Sequence, residues 1–206
     1  MKTTLALFTL LLFSSNAYSE TCLHSIKEGS EKITWTGFKY TEKTAVSGTF
    51  DKVKFKQVKD SPSMSELLES VEFEIDTKSV NSGNPARDTT LKGSIFGFLK
   101  VPNTISGKIV SATQLDMAVE MTLNKKTPMQ MSLDAKDGKI TSTGTLNLLE
   151  HGLKKSYDAV HVACKGLHVG KDGVSKTWST VEIKVEADYE VKCSKGLMDS
   201  IKSWFS

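Results

Sequence analysis

The side chains that most often carry catalysis or bind metals are sparse and scattered in this 206-residue chain. The four histidines are His24, His151, His161 and His168. His24 precedes the first predicted strand, and His151 lies in a predicted turn. His161 and His168 point to opposite faces of a continuous strand, so they would share a metal only across a bulge. No HExxH pair, GxSxG turn, phosphate-binding glycine loop or paired-carboxylate motif occurs. These observations predict no catalytic residues, no metal and no cofactor.

The three cysteines predict one disulfide rather than a zinc site, because no CxxC or Cys/His cluster is present. Cys22 lies just before the first predicted strand and Cys193 just after the last. If the strands close into a barrel, those two ends meet, so we expect a Cys22–Cys193 bond. Cys164 alternates with Val160 and Val162 on one face of a predicted strand, which favours a buried structural thiol.

One polar stretch, NSGNPARDTTLKG (81–93), joins the strand pattern VEFEI (71–75) to the apolar patch IFGFL (95–99). Its Arg87–Asp88 pair has two interpretations. It is either part of a solvated turn or part of a polar lip over an apolar interior.

The first residues have the form of a secretory signal peptide. Lys2 is followed by the apolar run LALFTLLLF (5–13) and a small-residue end at Ser19. We predict cleavage after Ser19, a single domain over 20–206, and a periplasmic or secreted location. The 27 basic and 24 acidic side chains are mixed along the chain, which argues against nucleic-acid binding.

Alternation of apolar and polar residues dominates the rest of the chain and predicts β-strands. The clearest case is TVEIKVEADYEV (180–191), in which every second residue is apolar. The other predicted strands are 32–40, 46–57, 71–75, 104–111, 116–123, 128–134, 138–148 and 156–167. Asp137-Gly138 and Asp172-Gly173 are typical of hairpin turns. Helices are predicted only at 63–70, over part of 85–99 and, as an amphipathic end, at 194–205.

This pattern predicts an all-β protein of about eight antiparallel strands, arranged as a barrel or a sandwich. Two rows of methionine, Met117/Met121 and Met129/Met131, fall on adjacent strands. Methionine adapts to irregular apolar surfaces, so these rows indicate either a flexible binding interior or ordinary core.

Two segments resemble the YceI-like family. VSGTFDKVKF (46–55) resembles its second-strand pattern, and VEFEIDTKSVNSGNPARDTTLKGSIFGF (71–98) resembles its most distinctive segment. The resemblance extends from about 32 to 191. It implies an extended lipocalin-like antiparallel β-barrel with one or two short helices, and it does not imply a defined enzyme activity; with no catalytic motif in the chain, we expect a protein that is not an enzyme. It also implies an apolar tunnel that holds a long-chain amphiphile, such as an isoprenoid or a fatty chain.

On this resemblance, inward residues of the strands form the tunnel wall. The expected wall residues are Trp35, Phe50, Phe73, Ile75, Met117, Met121, Met129 and Met131. A one-residue shift in any strand would turn its set outward. Arg87 either binds the ligand's head group or braces the loop together with Asp88.

We therefore expect a periplasmic or secreted carrier of a long-chain lipid or isoprenoid. We also expect it to contact a membrane transiently. One alternative is an extracytoplasmic interaction or stress-related module with no physiological ligand. Another is an enzyme that uses His151 or His161.

Overall fold

The computed structural model describes residues 20–56 and 58–194. The predicted signal peptide (1–19) and nearly all of the predicted terminal helix lie outside these residues; Ser194 is in a strand. Leu23–Lys192 forms one compact unit, and Cys22 and Cys193 belong to a second one. Within that second unit a disulfide joins Cys22 to Cys193, which is the predicted pairing.

The described residues contain eleven β-strands, and all pairings with a described register are antiparallel. The strands are β1 Thr21–Ile26, β2 Lys32–Lys39, β3 Thr44–Phe50, β4 Val53–Lys56, β5 Glu72–Asp76, β6 Val80–Asn81, β7 Thr104–Ala112, β8 Asp116–Thr122, β9 Lys126–Lys136, β10 Lys139–Asn147 and β11 Thr180–Ser194. The order across the sheet is β4-β5-β7-β8-β9-β10-β11-β2-β3-β6, and β1 pairs with β11.

This sheet closes on itself, because β3 and β4 are two parts of one long strand, and β5 and β6 are two parts of the strand that pairs with it. β3 pairs with β6, and β4 pairs with β5. Between these pairings, the Asp51 N–H donates to the Ser79 carbonyl at 3.0 Å, and the Asp76 N–H donates to the Lys52 carbonyl at 3.1 Å. β3–β4 and β5–β6 thus act as two interrupted long strands. With the six other strands of the order they form the expected lipocalin-like barrel of eight.

Among the described residues, three α-helices accompany the barrel: α1 Met64–Glu69, α2 Pro85–Ser94 and α3 Lys154–Ala163. Local sequence explains the first two. Ser63 caps α1 by accepting a hydrogen bond from the Glu66 N–H, and Asn84 caps α2 by accepting one from the Arg87 N–H. Pro85 occupies the first turn of α2, where no backbone donor is needed.

Strand direction places these helices at opposite ends of the barrel. The long segments 82–103 and 148–179 connect strand ends on one side, which we call the upper end; they contain α2 and α3. α1 lies in the segment between β4 and β5 on the other side, the lower end. Its Leu67 and Leu68 are buried, and Leu68 packs into the hydrophobic core of the barrel. No helix among the described residues is long and apolar enough to cross a bilayer.

The strand predicted at 156–167 is wrong, because most of it forms α3. The Val160/Val162 alternation is misleading, since Val160 is buried and Val162 is exposed. Leu153, Tyr157, Val160 and Cys164 instead repeat at helical spacing along one side. A 3₁₀-helix, Lys165–His168, follows. Two further strands, β1 and β6, were not predicted.

Candidate functional site

The barrel encloses a cavity of about 620 Å³. This lies within the range of about 300–1,000 Å³ that is usual for small-ligand sites. Its wall runs along β2 from Ile33 to Lys39, which is about 20 Å of extended strand. Most of the lining is aliphatic, aromatic or methionine side chains.

The structure brings the sequence-predicted wall residues together around this cavity. All nine predicted site residues line it: Trp35, Phe50, Phe73, Ile75, Arg87, Met117, Met121, Met129 and Met131. The two methionine rows are adjacent, with Met117 directly opposite Met131 across the β8–β9 pair. All four methionines are buried from bulk solvent, and they face the cavity. Whether these residues bind a ligand remains a prediction.

Glycines allow bulky wall residues to lie flat against neighbouring strands. Gly107 pairs with Phe73 across the β5–β7 ladder. A Cβ at Gly107 would clash with the Phe73 ring and would lie 2.6 Å from the Glu120 carbonyl oxygen. By contrast, a Cβ at Gly37, which also lines the cavity, would meet nothing within 4 Å. The wall is therefore tightly packed at some positions and open to the cavity at others.

Arg87 and Asp88 meet at Ser82, in the loop before α2. The Ser82 N–H and hydroxyl both donate to Asp88 Oδ1, at 2.9 and 2.6 Å. Arg87 Nε donates to Ser82 Oγ at 3.0 Å, and the rest of its half-buried side chain lines the cavity. The described residues offer Arg87 no ion-pair partner. The structure thus contains a loop that is braced through Ser82, and it also places the positively charged Arg87 at the cavity.

A second cation at the upper end was missed by the sequence reasoning. Lys39 shares the inward face of β2 with Ile33, Trp35 and Gly37, and it lines the cavity. The same alternation that identified Trp35 as an inward residue also points to Lys39, two positions beyond Gly37. A lysine at an inward position of an apolar wall is the signal that would have revealed it.

Next to Lys39, two histidines converge on one threonine. Lys39 pairs with Thr177 in an isolated antiparallel bridge. Thr177 Oγ1 lies 2.8 Å from His168 Nδ1 and 3.2 Å from His161 Nδ1. The hydroxyl has one proton to donate, so at least one imidazole must donate to it if both hydrogen bonds form. The expectation that His161 and His168 point apart is wrong, since helix α3 and the following 3₁₀-helix turn both toward Thr177.

Burial affects the titration of this cluster. It lowers the pKa of His168, and the nearby charges of Lys39 and His161 lower it further. A neutral imidazole is therefore favoured at neutral pH. Burial also raises the pKa of the Cys164 thiol, which is half-buried and lines the cavity. His151 lies apart, in the turn before α3.

Comparison with known proteins agrees with this architecture. The family model described as "YceI-like domain" matches residues 25–189. The chain belongs to the YceI-like family. No curated protein sequence matches it significantly.

Two solved structures are similar to this YceI-like domain in fold. One is a polyisoprenoid binding domain from Saccharophagus degradans, implicated in plant cell wall breakdown. It is 14% identical, with a TM-score of 0.50, and the match covers 84% of this chain and 100% of that one. The other is BcnA from Burkholderia cenocepacia, 13% identical with a TM-score of 0.51, covering 81% of this chain and 99% of that one. At these identities the likeness shows the fold alone.

Proposed function

We propose that this protein binds a long-chain amphiphile, of the isoprenoid or fatty-acyl type, in its barrel cavity and carries it through aqueous space outside the cytoplasm. The cavity itself is the observation that supports this function: about 620 Å³ of largely apolar space inside one closed barrel. The Saccharophagus domain, whose name describes it as polyisoprenoid-binding, makes an isoprenoid a reasonable first ligand to test.

The physical chemistry favours a chain-like ligand. Moving apolar surface from water into such a cavity gains about 25 cal/mol per Å². The cavity follows β2 from Ile33 to Lys39, so an extended chain fits it better than a compact ring system would. The methionines allow the wall to adapt to chains of different shape.

The extracytoplasmic location rests on two supports. The first residues have the form of a signal peptide, and a disulfide joins Cys22 to Cys193. Structural disulfides persist in oxidising compartments such as the periplasm. The predicted transient contact with a membrane belongs to this proposal, because a carrier must collect and deliver its ligand there.

The direct test is to purify the full chain from its own host and to analyse bound molecules by native mass spectrometry after gentle extraction. We expect a long-chain lipid at close to one per protein. A protein that is consistently empty, and that takes up neither farnesol nor palmitic acid when these are added, would favour the interaction-module alternative.

Met121→Trp then tests whether the cavity is the binding site. The indole would project from β8 into the cavity and fill part of it, so bound lipid per folded molecule should fall at least tenfold. The melting temperature of the ligand-free protein should change little, because the added bulk enters open space. Leu115→Trp is the matched control, since Leu115 is exposed in the β7–β8 turn. If Met121→Trp unfolds the protein without changing lipid bound per folded molecule, the methionine rows are ordinary core.

A further inference from the structure

Charge is distributed unevenly over the outside of the barrel. Four segments connect strands at the upper end: 40–43, 82–103, 123–125 and 148–179. Together they carry ten lysine and arginine side chains and five aspartates and glutamates. The other described residues carry 14 basic and 18 acidic side chains. The upper end is therefore the positively charged part of a molecule that is negatively charged elsewhere.

Most of the positive charge at the upper end has no neighbouring carboxylate to neutralise it. Of the eight described ion pairs, only Lys154–Asp158 lies in these four segments. Lys165 and Lys171 are both exposed, and neither belongs to a described ion pair. Exposed cations of this kind attract an anionic partner over about 8 Å at physiological ionic strength.

Exposed apolar side chains are concentrated at the same end. The described residues include eleven large apolar side chains that are exposed. Seven of these lie in the four upper-end segments: Phe98, Val101, Leu149, Val162, Leu167, Val169 and Val174. Val162 and Leu167 are each 73% exposed. Single exposed apolar side chains are common, but their concentration at one positively charged end is typical of a surface that binds a partner.

Hydrogen bonds connect the most exposed part of this surface, residues 162–176. Val169 pairs with Ser175 in an isolated bridge, and the Ser175 hydroxyl donates to the Lys165 carbonyl at 2.7 Å. The Thr41 hydroxyl donates to Asp172 at 2.7 Å, which joins this segment to the β2–β3 turn. Basic and apolar side chains therefore share one segment: Val162, Lys165, Leu167, Val169, Lys171 and Val174.

We propose that residues 162–176 form a docking surface for a bilayer that contains anionic phospholipids. The lysines bind the lipid phosphates, and Val162 and Leu167 enter the boundary between head groups and acyl chains. Leu167 is exposed and also lines the cavity, so the same contact brings the cavity to the acyl chains. This favours a bilayer over an acidic protein as the partner. The inference rests on the proposed function, in which a carrier collects its ligand at a membrane.

Co-sedimentation with vesicles measures this docking, using protein purified from its own host and delipidated. One set of vesicles is phosphatidylcholine alone, and the other is an equal mixture of phosphatidylcholine and phosphatidylglycerol. We expect at least about tenfold stronger binding to the mixture at low salt, because several lysines lie near the anionic surface. Binding to the mixture should decrease at high salt, since salt screens the attraction between lysine and phosphate.

Lysine substitutions test the electrostatic part. Lys165→Gln combined with Lys171→Gln should weaken binding to the mixed vesicles by about 20-fold, since each lysine near an anionic surface contributes about fivefold. The matched control is Lys54→Gln combined with Lys108→Gln, which removes two exposed strand lysines that form no described ion pair. Its binding should stay within about threefold of wild type, because these charges lie away from the bilayer and are screened. Equal losses in the two double variants would overturn the docking surface.

Leu167→Ser tests the apolar part, and Leu115→Ser is its matched control. Both leucines are 73% exposed, but Leu115 lies in the β7–β8 turn at the lower end. Leu167→Ser should weaken binding to the mixed vesicles by about fivefold or more, because it removes apolar area from the contact. Leu115→Ser should bind as the wild type does. If the lysine substitutions weaken binding and Leu167→Ser does not, the surface suits an acidic protein, and its assignment to a bilayer is overturned.

The docking surface and the carrier function fail in different ways. Equal binding to the two kinds of vesicle, or no binding to either, would overturn the docking surface and leave the carrier function standing. Docking by a protein that takes up neither farnesol nor palmitic acid would overturn the carrier function and leave the docking surface standing.

Discussion

The segments that cover the two ends of the barrel differ in how deeply their side chains are buried. The lower end is covered by α1, whose Leu67 is completely buried. The upper end is covered by α2, α3 and the Lys165–His168 turn, where Leu167 is 73% exposed and still lines the cavity. The lower end therefore contributes to folding stability, and the upper end has the features of a ligand entrance.

Among the apolar side chains of α2 and α3, only Val160 is buried. The side chain of Asn124, in the β8–β9 turn, accepts a hydrogen bond from the Lys100 N–H at 2.7 Å and donates one to the Gly152 carbonyl at 3.3 Å. α2 and α3 also pack against each other. Regions with sparse apolar burial open at lower free energy than the core does. The comparison of the two ends can be tested with matched substitutions.

Leucine-to-alanine substitutions at the two ends should give the largest contrast. Leu67→Ala removes a fully buried side chain and should lower the free energy of unfolding by about 2–5 kcal/mol. Leu167→Ala removes an exposed one and should change it by no more than about 0.5 kcal/mol. Urea unfolding of both variants measures the difference. Similar losses in the two variants would mean that the upper end is as firmly packed as the lower.

A smaller contrast is expected between two inward glycines. Gly107→Ala places a methyl group against Phe73 and the Glu120 carbonyl, which should cost about 1–3 kcal/mol of stability. Gly37→Ala places the methyl in open cavity space near the upper end, so stability should stay within about 0.5 kcal/mol of wild type. Thermal unfolding of the ligand-free proteins provides the measurement. A large loss in Gly37→Ala would show that the cavity is closed there in solution.

The smallest effect concerns pH at the upper end. Lys39, His161 and Thr177 lie beside His168. Burial, together with the charges of Lys39 and His161, lowers its pKa in the folded protein from an ordinary value of 6.5. The unfolded chain therefore binds a proton more readily than the folded one, and stability should fall as pH drops below about 6.5. The loss should level off once pH lies below the folded-state pKa.

Melting temperatures of the wild type and His168→Gln across this pH range isolate that contribution. We expect the variant to lose part of the acid-dependent decrease. His151→Gln, in the turn before α3, should keep the wild-type dependence. An unchanged decrease in His168→Gln would assign the effect to other groups.

The wall of the barrel was predictable from sequence, whereas its upper end was largely not. The alternation of apolar and polar residues correctly predicted that Met117, Met121, Met129 and Met131 face inward. Side chains of a strand alternate between its two faces, so neighbouring residues reveal which face is buried. The pairing of Cys22 with Cys193 also followed, since it requires only that the first and last strands are neighbours. These features depend on patterns that lie within single strands or on their order.

The structure of the upper end depends on contacts between residues that are far apart in the sequence, and no local sequence pattern reveals such contacts. Val160 and Val162 suggested a strand, while the burial that selects a helix comes from α3 packing against α2 and the cavity. The meeting of His161 and His168 at Thr177 joins a helix, a 3₁₀-helix and an isolated bridge. Lys39 follows the alternation of β2, but a charged side chain at an inward position is rare, so the pattern alone favours a solvent-facing lysine there.

Closure of the sheet through β3–β4 and β5–β6 has a consequence for the empty protein. An open sheet exposes rows of unpaired N–H and C=O groups along its edge strands, and a neighbouring chain can extend the sheet there. In this barrel those edges pair with each other, and the stretch of β3 that lacks β6 as a partner is only Thr44–Gly48. Among the described residues, the strands of the barrel therefore leave little free edge at which another chain could extend the sheet, even though the interior remains apolar.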